Sequence, residues 1–411
     1  MKRRRLRDNA EILEEAKLIS YLRSCGMKTN AIADHLHQSP ATISRRLELA
    51  RDKHILVEKH IAHLEPEEIE RFELFTLEQE LSKALSNEIG QRLVRHITIV
   101  PSEEGKDKVD ANISRIGTFA ALRLWQHRSA GRMHTVGVSW GRTVAATASA
   151  AGLLSPTVSV ETQVEFIPIV GDHLLSTRPN IYKFSASTVA AELTKAFQGD
   201  LEKQHHLSTP SCIPEDFFQD DVDQTAAEKQ LIRRFLKTLS SHQEVFGPGE
   251  GNQEPAIQRL DTLISGCGFI DANDGSVELE NRKDSMWFNF TKHVRPAERA
   301  ELRKAAIGDL CGRLVARPDA DTAGKRLVDE INERAFASPT LQDIRRCKEQ
   351  ARQNQTPGVI IVCAGAEKAG TLLSICLDDL VSEIVIDKDL AIEVANLLDI
   401  EVNTLTEQSQ A

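Results

Sequence analysis

Val136-Gly-Val-Ser-Trp-Gly-Arg-Thr-Val144 begins as a strand and ends as a helix, and Val359-Ile-Ile-Val-Cys-Ala-Gly-Ala-Glu-Lys368 does the same. In each, an apolar run of strand length gives way to glycine and then to a segment with helical patterning. A glycine turn at the carboxyl end of a strand leads into a helix whose first N–H groups have no partner within that helix. Those donors and the helix dipole together favour an anion. Ser139, Arg142 and Thr143 would add side-chain donors at the first junction, and Lys368 a positive charge at the second. Ligands of open α/β sheets collect at this edge. Either junction alone is compatible with nothing more than a tight turn; the two together carry more weight.

Outward from these junctions the chain predicts a helix over 65–95, a strand at Ile97–Val100 and a polar loop over Pro101–Asn112. A helix from Ile113 to Arg128 then leads into a strand at His134–Val138. From there strands and helices alternate to the C-terminus, the pattern of a mostly parallel sheet with helices on both faces. Two polar stretches, 199–255 and 273–300, read as insertions. The first holds an amphipathic helix near Ala226–Leu239 and a flexible Gly247-Pro-Gly-Glu-Gly-Asn252 segment.

The first sixty residues have a different character. Glu11 to Cys25 carries Ile12, Ala16, Ile19 and Leu22 at helical spacing and stops at Gly26. Thr29 or Asn30 is placed to cap a short helix with Ile32, Ala33 and Leu36 inward, and His37-Gln38 makes the turn. Ser39-Pro40 is a strong start signal, a side-chain cap followed by proline at the first helical position. The helix that follows runs to about Asp52 with Ile43, Leu47 and Ala50 on one face. At ~100° per residue, Ala41 and Arg45 point away from that face, flanked by Thr42 and Ser44. Slim, hydroxylated side chains around an arginine suit entry into the major groove, where arginine can pair with guanine. Ser39, Arg46 and Arg51 complete the expected DNA surface, the two flanking arginines as phosphate contacts. The Lys2–Arg7 cluster is suited to an arm over the DNA backbone.

Charge separates the same two regions. Residues 1–60 hold 13 Lys and Arg against 8 Asp and Glu, whereas the remaining residues hold 38 against 53. A basic head on an acidic body fits a nucleic-acid-binding module attached to a domain that does not itself bind polyanions. The chain has 411 residues, enough for two or three domains, with 41% hydrophobic residues. No apolar run reaches the length of a membrane span, and no apolar h-region follows the basic N-terminus, so neither membrane insertion nor a signal peptide is expected. Seven cysteines, at 25, 212, 267, 311, 347, 363 and 376, show no CxxC pair or metal-ligand spacing. They read as reduced core thiols of a cytoplasmic protein.

The chain resembles the SorC family of bacterial sugar-responsive transcriptional regulators, also called the DeoR-like sugar-binding group. The residues that carry the resemblance are Gly137–Thr143, Ile167-Pro-Ile-Val-Gly171 with Asn180, Leu207-Ser-Thr-Pro210 and Leu263-Ile-Ser-Gly-Cys-Gly268. Ile307-Gly-Asp-Leu-Cys-Gly312, Val359–Lys368, Leu372–Leu380 and Ile384-Val-Ile-Asp387 follow in family order. The resemblance implies a helix-turn-helix over 1–62 and a Rossmann-like α/β effector domain over 63–411, similar to sugar-phosphate isomerases and deaminases. It further implies a phosphate site at Gly141-Arg142-Thr143 with Lys368, sugar contacts near Gly268 and Asp309, and operator binding as a homodimer or homotetramer. Asp309 could equally cap a helix end. The loop containing Gly365 departs from the family, since Ala364-Gly-Ala366 stands where a double glycine is commoner.

Two other readings compete. The same fold could be an active sugar-phosphate isomerase or deaminase, or a binding protein that works only through protein contacts. Enzymatic chemistry needs a general base beside the phosphate site, and the histidines at 35, 37, 54–63, 205 and 206 lie outside the two junctions. No metal or other cofactor is expected, and the basic recognition helix favours a regulator.

Overall fold

The computed structural model describes residues 12–13, 15–20, 22–23, 28–53, 74–86, 93–102, 108–154, 163–172, 181–211, 222–247, 254–270, 294, 296–335 and 337–400. In the N-terminal head, residues 12–13, 15–20 and 22–23 are helical, followed by α1 (Thr29–His35) and α2 (Pro40–Asp52). Thr29 and Asn30 are not the cap of α1. Thr29 is already helical, and Lys28 holds the cap position, its side chain making no cap bond to the helix. The turn after α1 closes with Gln38 N–H on the Ala33 carbonyl and His37 N–H on that of Asp34. This is the paired pattern that ends a helix on a left-handed residue. His37 supplies it at φ 53°, where a glycine would carry no Cβ penalty. Ser39 accepts the Thr42 N–H and Pro40 opens α2, as the sequence predicts. Ile19, Ile32, Ala33, Ile43 and Leu47 form the small core of the head.

The body is a six-stranded parallel sheet. Its strands are β1 (His96–Val100), β2 (Thr135–Val138), β3 (Glu165–Pro168), β4 (Thr262–Ser265), β8 (Gly358–Cys363) and β9 (Glu383–Asp387), in the order β1-β9-β8-β4-β2-β3. Between β4 and β8 the chain departs from strict alternation and builds a three-stranded antiparallel sheet. This comprises β5 (Cys267–Phe269), β6 (Ala306–Leu310) and β7 (Arg313–Ala316). The turn between β6 and β7 has two residues, Cys311 and Gly312, both at positive φ, a geometry that matches strand twist. The period of two is visible on β8. Ile360 and Val362 enter the core beneath α4 (Lys108–Ser129), α5 (Arg142–Leu153) and α6 (Ala186–Ala196). Val359, Ile361 and Cys363 enter the opposite core, under α3 (Leu74–Ala84), α11 (Leu341–Asn354), α12 (Ala369–Leu377) and α13 (Lys388–Leu397).

Three expected boundaries move. The helix expected over 65–95 is helical only at Leu74–Ala84 among the described residues, and Leu93 to Arg95 are not helical. The helix expected from Ile113 begins at Lys108, because a polar first turn bearing Asp110 suits a helix N-terminus and had the composition of a loop. The insertion helix is α7 (Val222–Lys237), followed by α8 (Ser240–Phe246). Lys2–Arg7, Asn180, residues 248–252 and residues 273–293 lie outside the described residues. The antiparallel sheet packs on α9 (Pro296–Ala305) and α10 (Thr322–Arg334).

Side chains tie the layers together at the amino edge. Arg123 forks onto Glu383 at 2.8 and 3.0 Å, and His127 joins the same carboxylate at 3.0 Å. Burial works to raise the Glu383 carboxyl, but Arg123 and His127 hold it well below its ordinary value. On the outer strand β1, Glu78 accepts the Ile99 N–H at 2.8 Å. Helices α4 and α5 approach closely at Gly117, where an added Cβ would lie 2.6 Å from the Ala146 carbonyl carbon. Gly117→Ala is therefore expected to destabilise the body by ~1–3 kcal/mol through overpacking. A denaturant midpoint equal to wild type would show that this contact yields freely.

Candidate functional site

The strand order reverses between β2 and β4. The chain goes outward from β2 to β3, then crosses to β4 and continues through β8. Such a switch point opens a crevice at the carboxyl ends of its strands. Ser139 to Arg142 leave β2 on one side of it, and Ser265 to Gly268 leave β4 on the other. Beyond β4, the end of β8 brings Gly365 and Lys368 to the same edge.

The two junctions read from the sequence touch directly. Thr143 Oγ1 donates to the Val362 carbonyl at 2.7 Å, from the first turn of α5 to the end of β8. This corrects the expected role of Thr143, whose buried hydroxyl spends its proton joining the loops rather than presenting it to a ligand. Gly141 precedes α5 at φ 139°, ψ 158°, and Gly365 precedes the short 3₁₀ turn Ala366–Lys368 at φ 103°, ψ 125°. Both conformations strongly favour glycine. Neither α5 nor α12 carries a side-chain cap, and the short α1 and α8 also lack one. By contrast Ser39, Ser185, Asp321, Thr340 and Asp387 cap α2, α6, α10, α11 and α13. The first N–H groups of α5 are thus left without a side-chain acceptor at the edge where the loops meet, whereas α12 continues from the 3₁₀ turn, its Ala369 N–H already on the Ala366 carbonyl.

Around this edge the expected residues take distinct places. Arg142 is exposed and faces Asp110 at 3.7 Å. Ser139 is buried, its hydroxyl beside the Cys311 thiol together with that of Ser265. Gly268 and Asp309 are directly paired across β5 and β6. Asp309 is not a helix cap: its carboxylate accepts the Gly312 N–H at 3.3 Å inside the β6–β7 turn. Burial pushes its carboxyl up to about 7, opposed by that N–H and by the positive charge of Lys368. Lys368 itself is half-buried on the turn after Gly365, close enough for its charge to act on Asp309.

Sequence reasoning missed two groups. Asp387, at the end of β9, accepts the Gly365 N–H at 3.2 Å, the Leu390 N–H at 3.2 Å and the Asn112 amide at 3.2 Å. It thereby fixes the Gly365 loop from behind. At the end of β3, Asp172 Oδ1, Thr209 Oγ1 and Ser338 Oγ are buried without hydrogen-bond partners among the described residues. The backbone groups them, since Asp172 N–H meets the Thr209 carbonyl and Gly171 N–H meets that of Ala337. Their neighbours in Ile167–Gly171 and Leu207–Pro210 were the available signal.

In the head, Ala41, Ser44 and Arg45 are exposed on α2, and Thr42 is half-buried. Ser39 and Thr42 share a hydroxyl contact of 2.9 Å, and Arg45 Nε folds back to the Ala41 carbonyl at 3.3 Å. Arg51 is exposed at the far end of the helix. Arg46 differs from the expected phosphate contact, because its Nε meets Glu15 at 2.5 Å. Gln38 binds the other oxygen of the same carboxylate. Arg46 and then Gln38 hold the Glu15 carboxyl below its ordinary value.

Residues 73–241 match the family model described as a putative sugar-binding domain. Among solved structures, the full-length sorbitol operon regulator SorC from Klebsiella pneumoniae is similar over 94% of this chain and 98% of its own, at 20% identity and a TM-score of 0.55. The fold is that of the SorC and DeoR regulators. A DeoR family transcriptional regulator from Listeria monocytogenes is similar over 78% of this chain and 99% of its own, at 17% identity and a TM-score of 0.51. A transcriptional regulator from Streptococcus pneumoniae covers 79% of this chain and 97% of its own, at 16% identity and a TM-score of 0.50. No curated protein matches the sequence. The resemblance read from the motifs is borne out in the fold, and no helix among the described residues is long and apolar enough to cross a membrane.

Two outcomes follow from this geometry. Arg45→Ala should leave the melting temperature of the head unchanged, whereas Arg46→Ala should lower it by breaking the Glu15 pair, worth up to about 1 kcal/mol at this exposure. Equal melting temperatures, read by circular dichroism, would place Arg46 outside the fold's support. For Asp309, a raised pKa means that the folded chain keeps a proton that the unfolded chain releases between about pH 4 and 7. Its stability contribution is therefore present at low pH and lost as pH rises through 7. Asp309→Asn should gain stability over wild type on going from pH 4 to pH 8, by a few kcal/mol at most. A difference that stays flat across that range would mean the carboxyl ionises freely in place.

Proposed function

We propose that the protein is a transcriptional regulator whose affinity for double-stranded operator DNA is set by a phosphorylated sugar or polyol bound in its C-terminal domain. The observation that carries the effector site is the bond between Thr143 and the Val362 carbonyl. It ties the uncapped start of α5 to the end of β8, the strand that leads into the Gly365 turn, with Arg142 and Lys368 as the cations of the two junctions. Backbone donors at the start of α5 and in the turn after Gly365 supply the phosphate cradle, and Lys368 answers its charge as a point cation. Gly141 and Gly365 let the backbone approach the ligand, with Ser139 and Thr143 beneath it as supports. Gly268 and Asp309 face the sugar. A protonated Asp309 donates to a ring or chain hydroxyl, and an ionised one accepts from two. The Thr209 and Ser338 hydroxyls are further partners for a hydroxyl-rich ligand once the wall beside β3 opens.

On the DNA side, Arg45 reads base edges from α2, with Ala41, Thr42 and Ser44 allowing close entry and Ser39 fixing the helix start. Arg51 holds the phosphate backbone, and Arg46 supports the head through Glu15. One recognition helix reads only a few base pairs, so a homodimer or homotetramer on a near-palindromic site follows. The protein works in the cytoplasm, where sugar phosphates are found, and as a sensor rather than an enzyme. Ligand control of DNA affinity then requires one of two oligomer arrangements to bind the effector better.

A thermal-shift screen of sugar phosphates identifies the ligand, because only a molecule that binds the folded state stabilises it by mass action. The best hit is then titrated into a fluorescent operator complex with wild type and Lys368→Ala. The variant should bind DNA normally without effector and need ten- to a hundredfold more effector, about the loss of one charge-assisted bond. An unaltered response in Lys368→Ala would sink the site.

A further inference from the structure

The strand ends that frame the crevice also carry two thiols in contact. Cys267 opens β5 just after β4, and its Sγ lies 3.5 Å from that of Cys363, the last residue of β8. The backbone explains the meeting. In the parallel ladder of β4 and β8, Ser265 stands opposite Ile361. Two residues beyond each of these, just past the end of β4 and at the end of β8, stand Cys267 and Cys363, and both side chains enter the same core. Neighbouring strands bring Cα atoms within the span that a disulfide bridges. Neither sequence spacing nor any pattern of paired cysteines announces this, since 96 positions separate them.

We propose that Cys267 and Cys363 form a reversible disulfide on exposure to a peroxide, stitching the β4–β5 crossing to the strand end that leads into Gly365 and Lys368. Cys267 is 7% exposed and Cys363 fully buried, so Cys267 is the first to react. A small, neutral oxidant such as hydrogen peroxide suits so narrow an approach. The Cys267 thiol loses its proton, its sulfur attacks one peroxide oxygen, and the O–O bond breaks with release of water. The resulting sulfenic acid is attacked by the Cys363 sulfur, the S–O bond breaks, and a second water leaves. Two thiols give up two electrons, and one peroxide becomes two waters. The Cys267 contact and then burial hold the Cys363 proton firmly, which makes the reaction slow compared with that of an exposed, acidic thiol.

Closing the sulfurs from 3.5 Å to the ~2.05 Å of a bond draws the segment before Gly268 toward the segment before Gly365. The oxidised crevice is narrower between Asp309 and Lys368. This consequence rests on the anion reading of the site, whereas the disulfide does not.

The full-length protein is treated with excess hydrogen peroxide, alkylated, digested without reductant and mapped by mass spectrometry. The expected product is a linked peptide pair containing Cys267 and Cys363, lost on treatment with dithiothreitol and still formed in Cys376→Ala. Free, alkylated Cys267 and Cys363 after an exposure that oxidises the denatured chain overturns the proposal, as does linkage of either thiol elsewhere. The wild-type map suffices even if Cys267→Ser does not fold. Thermal shift with inorganic phosphate then compares reduced and oxidised protein. Stabilisation of the reduced form, with several-fold weaker binding after oxidation, supports the closing of the crevice; equal binding in both forms overturns it. If phosphate stabilises neither form, the anion reading fails, and the linked peptides still decide the disulfide.

Discussion

The Asp387 carboxylate is the interaction on which the working edge of this protein depends. It ends β9, caps α13, accepts the amide of Asn112 from α4, and takes the Gly365 N–H. A buried carboxylate with three donors is far costlier to disturb than any of its bonds would be alone, because removing it orphans all of them. The loop that presents Lys368 is thereby fixed by the C-terminal strand of the sheet rather than by its own sequence. Thr143 fixes the neighbouring loop in the same way, through a carbonyl of a strand two places away in the sheet. The two glycine loops are thus held by side chains that come from elsewhere in the sheet and its helices.

What could be read from the sequence is what local chemistry decides. Ser39-Pro40 marks the start of α2 because a cap and a fixed φ act within four residues. The junctions at Val136–Val144 and Val359–Lys368 are legible because strand, glycine and helix follow one another without a break. The two-faced core under β8 is legible for a similar reason, a continuous apolar run that buries both of its sides. The start of α4 is not, because Lys108-Val-Asp110 is polar whether it is a loop or the first turn of a helix.

The rest depends on pairings across the chain that no local pattern encodes. Glu15 and Arg46 are 31 residues apart, and the flanking position of Arg46 on α2 gave no sign of its pairing with Glu15. Asp387 and Gly365 are 22 apart, and Thr143 and Val362 are 219 apart. The antiparallel sheet escaped because β5 has three residues, too few to show alternation, and its partners lie beyond the second insertion. Asp309 was legible as a carboxylate near the site, but its near-neutral titration arises from burial in the β6–β7 turn, which only the fold creates.

The bond from Glu78 to the Ile99 N–H bears on how copies of this chain can meet. β1 ends the sheet, and an outer strand normally offers a row of donors and acceptors to any strand that comes alongside. Here a carboxylate from α3 occupies the middle of that row, and the helix it belongs to lies against β1. A neighbouring molecule cannot extend the sheet across this margin without first displacing the half-buried Glu78 side chain. Any contact with another molecule on this side would meet helix surfaces, which can slide and rotate against each other in small steps. A continuous sheet could not, because its ladder of hydrogen bonds fixes one register.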